Sequence, residues 1–88
     1  MTVKLSEWTQ NSVDDDLHTL VVAFELPMRD PHVISRSMFR LHARSDAFDV
    51  QTGDHYVLIY GKADSLDDAK RRAREWLQSM AFNLGDRL

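Results

Sequence analysis

The segment His55–Leu84 constrains the fold more than any other part of this chain. Residues 55–62 (His-Tyr-Val-Leu-Ile-Tyr-Gly-Lys) are rich in β-branched and aromatic side chains, which are typical of a β-strand. A long amphipathic helix is predicted from about Ser65 to Asn83, because apolar residues then recur at helical spacing. We expect the rest of the chain to pack against the apolar stripe of this helix, formed by Leu66, Ala69, Ala73, Trp76, Leu77, Met80 and Leu84.

Residues suited to helix ends stand at both ends of this predicted helix. Asp64 or Ser65 can cap the first free amide groups, and Asp67 and Asp68 lie at the positive end of the helix dipole. Gly85 stands where a helix end favours a residue with positive φ.

Three further strands are predicted. Leu17–Leu26 contains an inner run that is apolar on both faces, which favours a central strand, and the following proline ends it. The alternation within residues 1–10 indicates a short edge strand. Ala47–Gln51 and His55–Lys62 flank the turn residues Thr52-Gly53-Asp54, so we expect them to form an antiparallel hairpin.

The segment Met28–Ser45 fits two structures. Asp30 followed by Pro31 is typical of a helix start, and a helix would place Ile34, Met38 and Leu41 on one face. As a strand, the same segment would alternate Ser37, Phe39, Leu41 and Ala43 with Arg36, Met38, Arg40, His42 and Arg44. We favour the helix for residues 31–44 because its start signal is specific.

These elements predict a single α+β domain over residues 1–88 with the order β-β-α-β-β-α. A mostly antiparallel sheet would form one layer and two helices would form the other. A chain of 88 residues suits one hydrophobic core.

Several classes of function are disfavoured by residue types. The chain has no cysteine, which excludes disulfides, thiolate zinc sites and thiol nucleophiles. No apolar run has the length of a signal peptide or a membrane span, so we expect a cytoplasmic protein that does not enter the membrane. No glycine-rich phosphate loop or nucleophile elbow occurs, and we expect neither an enzyme nor a cofactor. We also expect no metal site, because the four histidines lack zinc-ligand spacing: His18, His32, His42 and His55.

The basic run Lys70–Arg74 is best explained by pairing within the helix. Asp67 precedes Arg71 by one turn and Asp68 precedes Arg72 by one turn, while Glu75 follows Arg71 at the same spacing. Opposite charges therefore alternate along the outer face of the helix, which is typical of a solvated surface.

The segment from Met28 to Ser45 carries the better candidate for a binding surface. Arg36, Arg40 and Arg44 share one face whether the segment is a helix or a strand. The segment holds four arginines and a single acidic residue, Asp30. We predict that a partner is bound by Arg29, Arg36, Phe39, Arg40 and Arg44. The competing interpretation is a solvated face whose arginines pair with acidic residues elsewhere, such as those of Asp14–Asp16.

The leading hypothesis is a small non-enzymatic protein, of the regulator or inhibitor type, that binds a larger protein partner through this arginine-rich surface. An alternative is a nucleic-acid-binding domain that uses the same arginines on phosphates, although a net charge of -3 argues mildly against it. A permanent structural subunit and a homodimer are further alternatives.

Overall fold

The structure is a computed structural model that describes residues 2–27 and 34–85, with side chains described for residues 5–25 and 37–80. Six strands and one helix lie within these ranges. They are β1 (Thr2–Leu5), β2 (Thr9–Gln10), β3 (His18–Pro27), β4 (Ile34–Ala43), β5 (Ala47–Thr52), β6 (Val57–Lys62) and α1 (Leu66–Gly85).

All the strands form one antiparallel sheet in the order β1-β3-β4-β5-β6, and β2 pairs with β3 beside β1. The predicted central strand is β3, which has neighbours on both sides, and the predicted edge strand is β1. The predicted hairpin is β5 with β6. The α+β class and the antiparallel sheet are therefore confirmed.

The helix predicted over residues 31–44 is wrong where the structure describes the chain. Residues 34–43 form β4, which pairs with β3 over ten residue pairs. β4 buries Leu41 and Ala43 and exposes Met38, as an alternating strand does. The start signal at Asp30 and Pro31 lies outside the described residues. Within the described ranges one helix packs on the sheet, so the predicted order β-β-α-β-β-α and the second helix are not found.

The hydrophobic core lies between one face of the sheet and α1. Ala69, Ala73 and Leu77 of the helix are buried, and three more members of the predicted stripe are half-buried. Phe24 and Phe39 meet edge to face with ring centroids 5.7 Å apart. The sheet contributes the buried side chains Leu20, Val22, Phe24, Leu41 and Val50. Burial of each large apolar side chain contributes about 1.5–3 kcal/mol, which fixes the face that the helix covers.

Side chains form hydrogen bonds with free backbone amides at two places, the start of α1 and the break between β1 and β2. The Ser65 hydroxyl accepts a hydrogen bond from the Asp68 amide at 3.1 Å, and the Asp68 carboxylate accepts one from the Asp64 amide at 3.0 Å. The hydrogen bond from the Asp68 amide to its hydroxyl confirms Ser65 as the capping residue. Between β1 and β2, the Ser6 hydroxyl accepts a hydrogen bond from the Val21 amide at 2.9 Å and replaces a strand partner.

No helix within the described residues is both long enough and apolar enough to cross a membrane.

Candidate interaction surface on the open face of the sheet

Because α1 packs on one face of the sheet, the opposite face remains uncovered by any element that the structure describes. Strand register places Val21, Arg40 and Gln51 in one row across this face, and Ala23 lies beside Met38. A second row crosses four strands and contains Thr19, His42, Asp49 and Tyr60. We call these nine side chains the open face.

Arg40 lies at the centre of the open face and is half-buried by its neighbours. Its Nε atom is buried and has no hydrogen-bond partner among the described residues. The other arginines whose side chains are described all have an ion pair or a ring contact: Arg44, Arg71, Arg72 and Arg74. Arg40 is therefore the one arginine with a described side chain that has neither an ion pair nor a ring contact with another described residue.

Arg44 forms an ion pair with the loop before β3. Its guanidinium pairs with the Asp14 carboxylate, and this hydrogen bond holds the pKa of Asp14 below its usual value. Asp16 extends the same contact, because its carboxylate accepts hydrogen bonds from the Ser45 amide and hydroxyl at 3.0 and 3.1 Å. For Arg44 the competing interpretation, pairing with the acidic run, is what the structure shows.

Of the remaining predicted residues, Phe39 does not share a surface with Arg40. Phe39 faces the opposite side of the sheet and packs against Phe24 in the core, because neighbouring residues of a strand alternate between faces. Arg36 pairs with Glu25 in the strand register, but its side chain lies outside the described side chains. Arg29 lies outside the described residues.

The basic run of α1 is engaged within the chain. Arg71 contacts the carboxylates of Asp68 and Glu75, and Arg72 lies 2.8 Å from Asp68. The predicted self-pairing is thus confirmed, although Arg71 contacts Asp68 rather than Asp67. The pKa of Asp68 is lowered to about 2, chiefly by the hydrogen bond from the Asp64 amide and then by those from the Arg72 and Arg71 guanidinium groups.

The other two cations of this run flank an aromatic ring. The Lys70 ammonium lies 5.5 Å from the centroid of the Trp8 ring, and the Arg74 guanidinium lies 5.7 Å from it. Both distances are within the range of a cation–π contact.

A histidine–aspartate pair lies beside Arg40 and was missed from the sequence. His42 Nδ1 is 2.8 Å from Asp49 Oδ1, and the Gln51 amide nitrogen donates to the same oxygen at 3.2 Å. His42 and Asp49 are seven residues apart, so only the β4–β5 register reveals their proximity. No cluster of three or more metal-binding His, Asp or Glu residues occurs among the described residues.

The depression beside this pair has a volume of about 130 Å³. Small-molecule sites usually enclose about 300–1,000 Å³, so this depression offers little room for a substrate. The pair therefore serves as a fixed polar feature on a flat surface. His42 retains one ring nitrogen that can form a hydrogen bond outside the pair.

Apolar side chains border the polar centre of the open face. Met38 is 39% exposed and Tyr60 is 81% exposed. Leu58, two residues before Tyr60, is 42% exposed. Exposed apolar side chains grouped on one side of a small protein are typical of a binding surface.

No known protein family, curated protein or solved structure matches this chain. Any assignment of function therefore rests on the open face itself.

Proposed function

We propose that this protein is a small non-enzymatic interaction protein, of the regulator or inhibitor type, that binds a larger protein partner through the open face of its sheet. The observation that carries the proposal is Arg40. A half-buried arginine side chain without an ion pair to any described residue, in the centre of an uncovered face, favours an acceptor supplied by another molecule.

The chemistry of the open face indicates what the partner offers. A guanidinium forms paired hydrogen bonds with a carboxylate, so we expect an acidic side chain of the partner to contact Arg40. Met38 and Tyr60 provide apolar contact area around that ion pair. Arginine and tyrosine surrounded by apolar contacts are the residue types that contribute most to protein interfaces.

The open face suits a protein better than a nucleic-acid backbone. Phosphate binding usually relies on several cations, whereas Arg40 is the one arginine with a described side chain that has no ion pair or ring contact with a described residue. Asp49 adds negative charge in the neighbouring row of the open face, and the chain carries a net charge of -3.

The proposal is tested by replacing Met38 with a photo-crosslinking amino acid. The experiment is done in the cells in which the protein is naturally expressed. The apolar probe replaces an exposed apolar side chain on the open face. The matched control carries the probe at Glu75, an exposed position on the outer side of α1. We expect a discrete protein adduct from position 38 and none from position 75.

Three outcomes would contradict this assignment. They are no adduct at position 38, equal adducts at both positions, and an adduct that nuclease treatment removes. The last result would favour the nucleic-acid alternative. The mass of the adduct distinguishes a crosslink to a second copy of the chain from a crosslink to a different protein.

A further inference from the structure

His42 lies in the row of the open face next to the row of Arg40. The two residues are two positions apart on β4, so they share a face and their backbones are about 7 Å apart along the strand. β3 and β5 flank β4 at this point, and the His42 side chain is 19% exposed. A carboxylate that contacts Arg40 from above the sheet is therefore within reach of the His42 ring.

The contact with Asp49 determines which nitrogen of the neutral His42 ring carries the proton. A carboxylate only accepts hydrogen bonds, so the 2.8 Å contact requires the proton to be on Nδ1. The Gln51 side chain donates to the same carboxylate oxygen at 3.2 Å and helps to hold Asp49 in place. Nε2 of the neutral ring can then only accept. It forms no hydrogen bond with the described residues, yet it is not buried, so a partner can reach it.

A neutral His42 ring is poorly suited to an acidic partner. Its Nε2 lone pair would face the oxygens of the partner's carboxylate, and both groups are acceptors. The His42–Asp49 pair is also negatively charged while the ring is neutral. A proton on Nε2 removes both obstacles, because it turns Nε2 into a donor and balances the charge of Asp49. Histidine is the side chain that ordinarily gains such a proton between about pH 8 and about pH 5.

The titratable and charged groups around His42 belong to its own strand, to β5 and β6, and to the loop before β3. They are Arg40, Arg44, Asp49, Tyr60, Asp14 and Asp16. The neighbour on β3, Thr19, is uncharged. Asp14 pairs with Arg44, whereas Arg40 has no ion pair with a described residue. A carboxylate placed between Arg40 and His42 adds a nearby negative charge, which favours the protonated form of the ring.

We propose that His42 is the second contact of the carboxylate that binds Arg40, and that its ring takes up a proton when the partner binds. This inference rests on the proposed function, because it concerns the same acidic partner. The new proton comes from solvent and binds Nε2, while the Nδ1 proton remains bonded to Asp49. Binding should therefore strengthen as the pH falls from about 8 to about 6.

NMR spectra of the imidazole nitrogens test the starting geometry on the purified protein alone. At about pH 8 we expect the neutral ring of His42 to carry its proton on Nδ1 and to have a lone pair on Nε2. A proton on Nε2 at this pH would overturn the proposal, because Nε2 would already be a donor before the partner binds. The measurement needs no substitution and no partner.

Crosslinking at two pH values tests the proton uptake. The probe at Met38 is irradiated in a lysate of the source cells at about pH 6 and about pH 8. We expect the yield of the protein adduct to be about three- to tenfold higher at the lower pH. His42→Gln should lose this increase, because its side chain gains no charge. His55→Asn is the matched control and should retain the increase, because His55 is exposed at the hairpin turn.

The crosslinking results separate this inference from the proposed function. No adduct at either pH would contradict the proposed function and this inference with it. Equal pH ratios in the wild type and His42→Gln would overturn the proton uptake and leave the proposed function intact. A wild-type yield that falls toward pH 6 would also overturn it, because the partner would then donate to the neutral Nε2. Circular dichroism at both pH values verifies that each variant is folded.

Discussion

Gly61 lies so close to the Phe48 ring that a side chain at this position must displace it. A Cβ atom on Gly61 would lie 2.8 Å from Phe48 Cε1, whereas one on Gly53 would have its nearest contact at 3.4 Å. We expect Gly61→Ala to lower the free energy of unfolding by about 1–3 kcal/mol. The control Gly53→Ala should have little effect, because Gly53 does not have a positive φ. Urea denaturation of both variants measures the difference, and equal losses would contradict the packing described around Phe48.

The turn between β5 and β6 shows what local sequence does and does not reveal. Gly53 correctly indicated the position of the hairpin, but the residue with positive φ is His55, at 69°. Histidine and asparagine tolerate positive φ better than most side chains. The position of the residue with positive φ is therefore set by the geometry of the loop, and no glycine marks it in the sequence.

A substitution at His55 tests this backbone conformation. We expect His55→Asn to preserve the free energy of unfolding and His55→Val to lower it by about 1–2 kcal/mol, because a β-branched residue is strained at positive φ. Thermal unfolding of the two variants gives the comparison. If His55→Val were as stable as the wild type, the positive φ would not be present in solution.

We expect the stability of the fold to depend on the pH through Asp68, at the start of α1. The pKa of Asp68 is about 2, compared with an ordinary value of 3.8. A carboxyl whose pKa is lowered by folding stabilises the fold above its ordinary value, and this contribution is lost as the pH falls through the folded pKa. The charged form of Asp68 therefore contributes fully above about pH 4, and its contribution is lost toward pH 2.

Replacement of Asp68 isolates this contribution. We expect Asp68→Asn to flatten the decline of thermal stability between about pH 4 and pH 2 relative to the wild type. The matched control Asp67→Asn removes the same charge from the neighbouring exposed position and should retain the wild-type profile. Identical profiles for all three proteins would show that the contacts of Asp68 do not stabilise the fold.

At the scale of elements, local patterns predicted α1 and the β5–β6 hairpin but not β4. The helical stripe of α1 and its Ser65 cap are local features, and both are found. Residues 34–43 carry an alternation compatible with a strand and a spacing compatible with a helix. What decides between them is pairing with the preceding strand β3, whose partner residues lie 7 to 25 positions earlier in the sequence and outside the segment itself. Such nonlocal pairing overrides a local start signal.

At the scale of the molecule, the candidate site could be predicted only in part. The arginine spacing pointed to Arg40, which lies on the open face. The spacing could not show that Asp14 binds Arg44 or that Phe39 faces the core, because both contacts depend on the assembled sheet. The open face itself follows from the presence of a single helix within the described residues. Its His42–Asp49 pair follows from strand register.

Arg40 and Arg44 therefore have different predicted roles, although they are of the same residue type and lie only four residues apart. Arg40→Glu should disrupt partner binding and leave the fold intact, because the chain provides Arg40 with no described partner. Arg44→Glu should lower thermal stability slightly, because it places an acid beside Asp14, and should leave binding unchanged. Circular dichroism melts measure the stability of both variants.

The central claim is tested most directly by placing a crosslinking residue at position 38 in the wild type, in Arg40→Glu and in Arg44→Glu. The quantity compared is the yield of the protein adduct. Loss of one member of a desolvated ion pair costs about 2–5 kcal/mol, so Arg40→Glu should reduce the yield by more than about tenfold. Arg44→Glu should stay within about twofold of the wild type. An equal yield from all three proteins, or a larger loss for Arg44→Glu than for Arg40→Glu, would contradict a binding surface centred on Arg40.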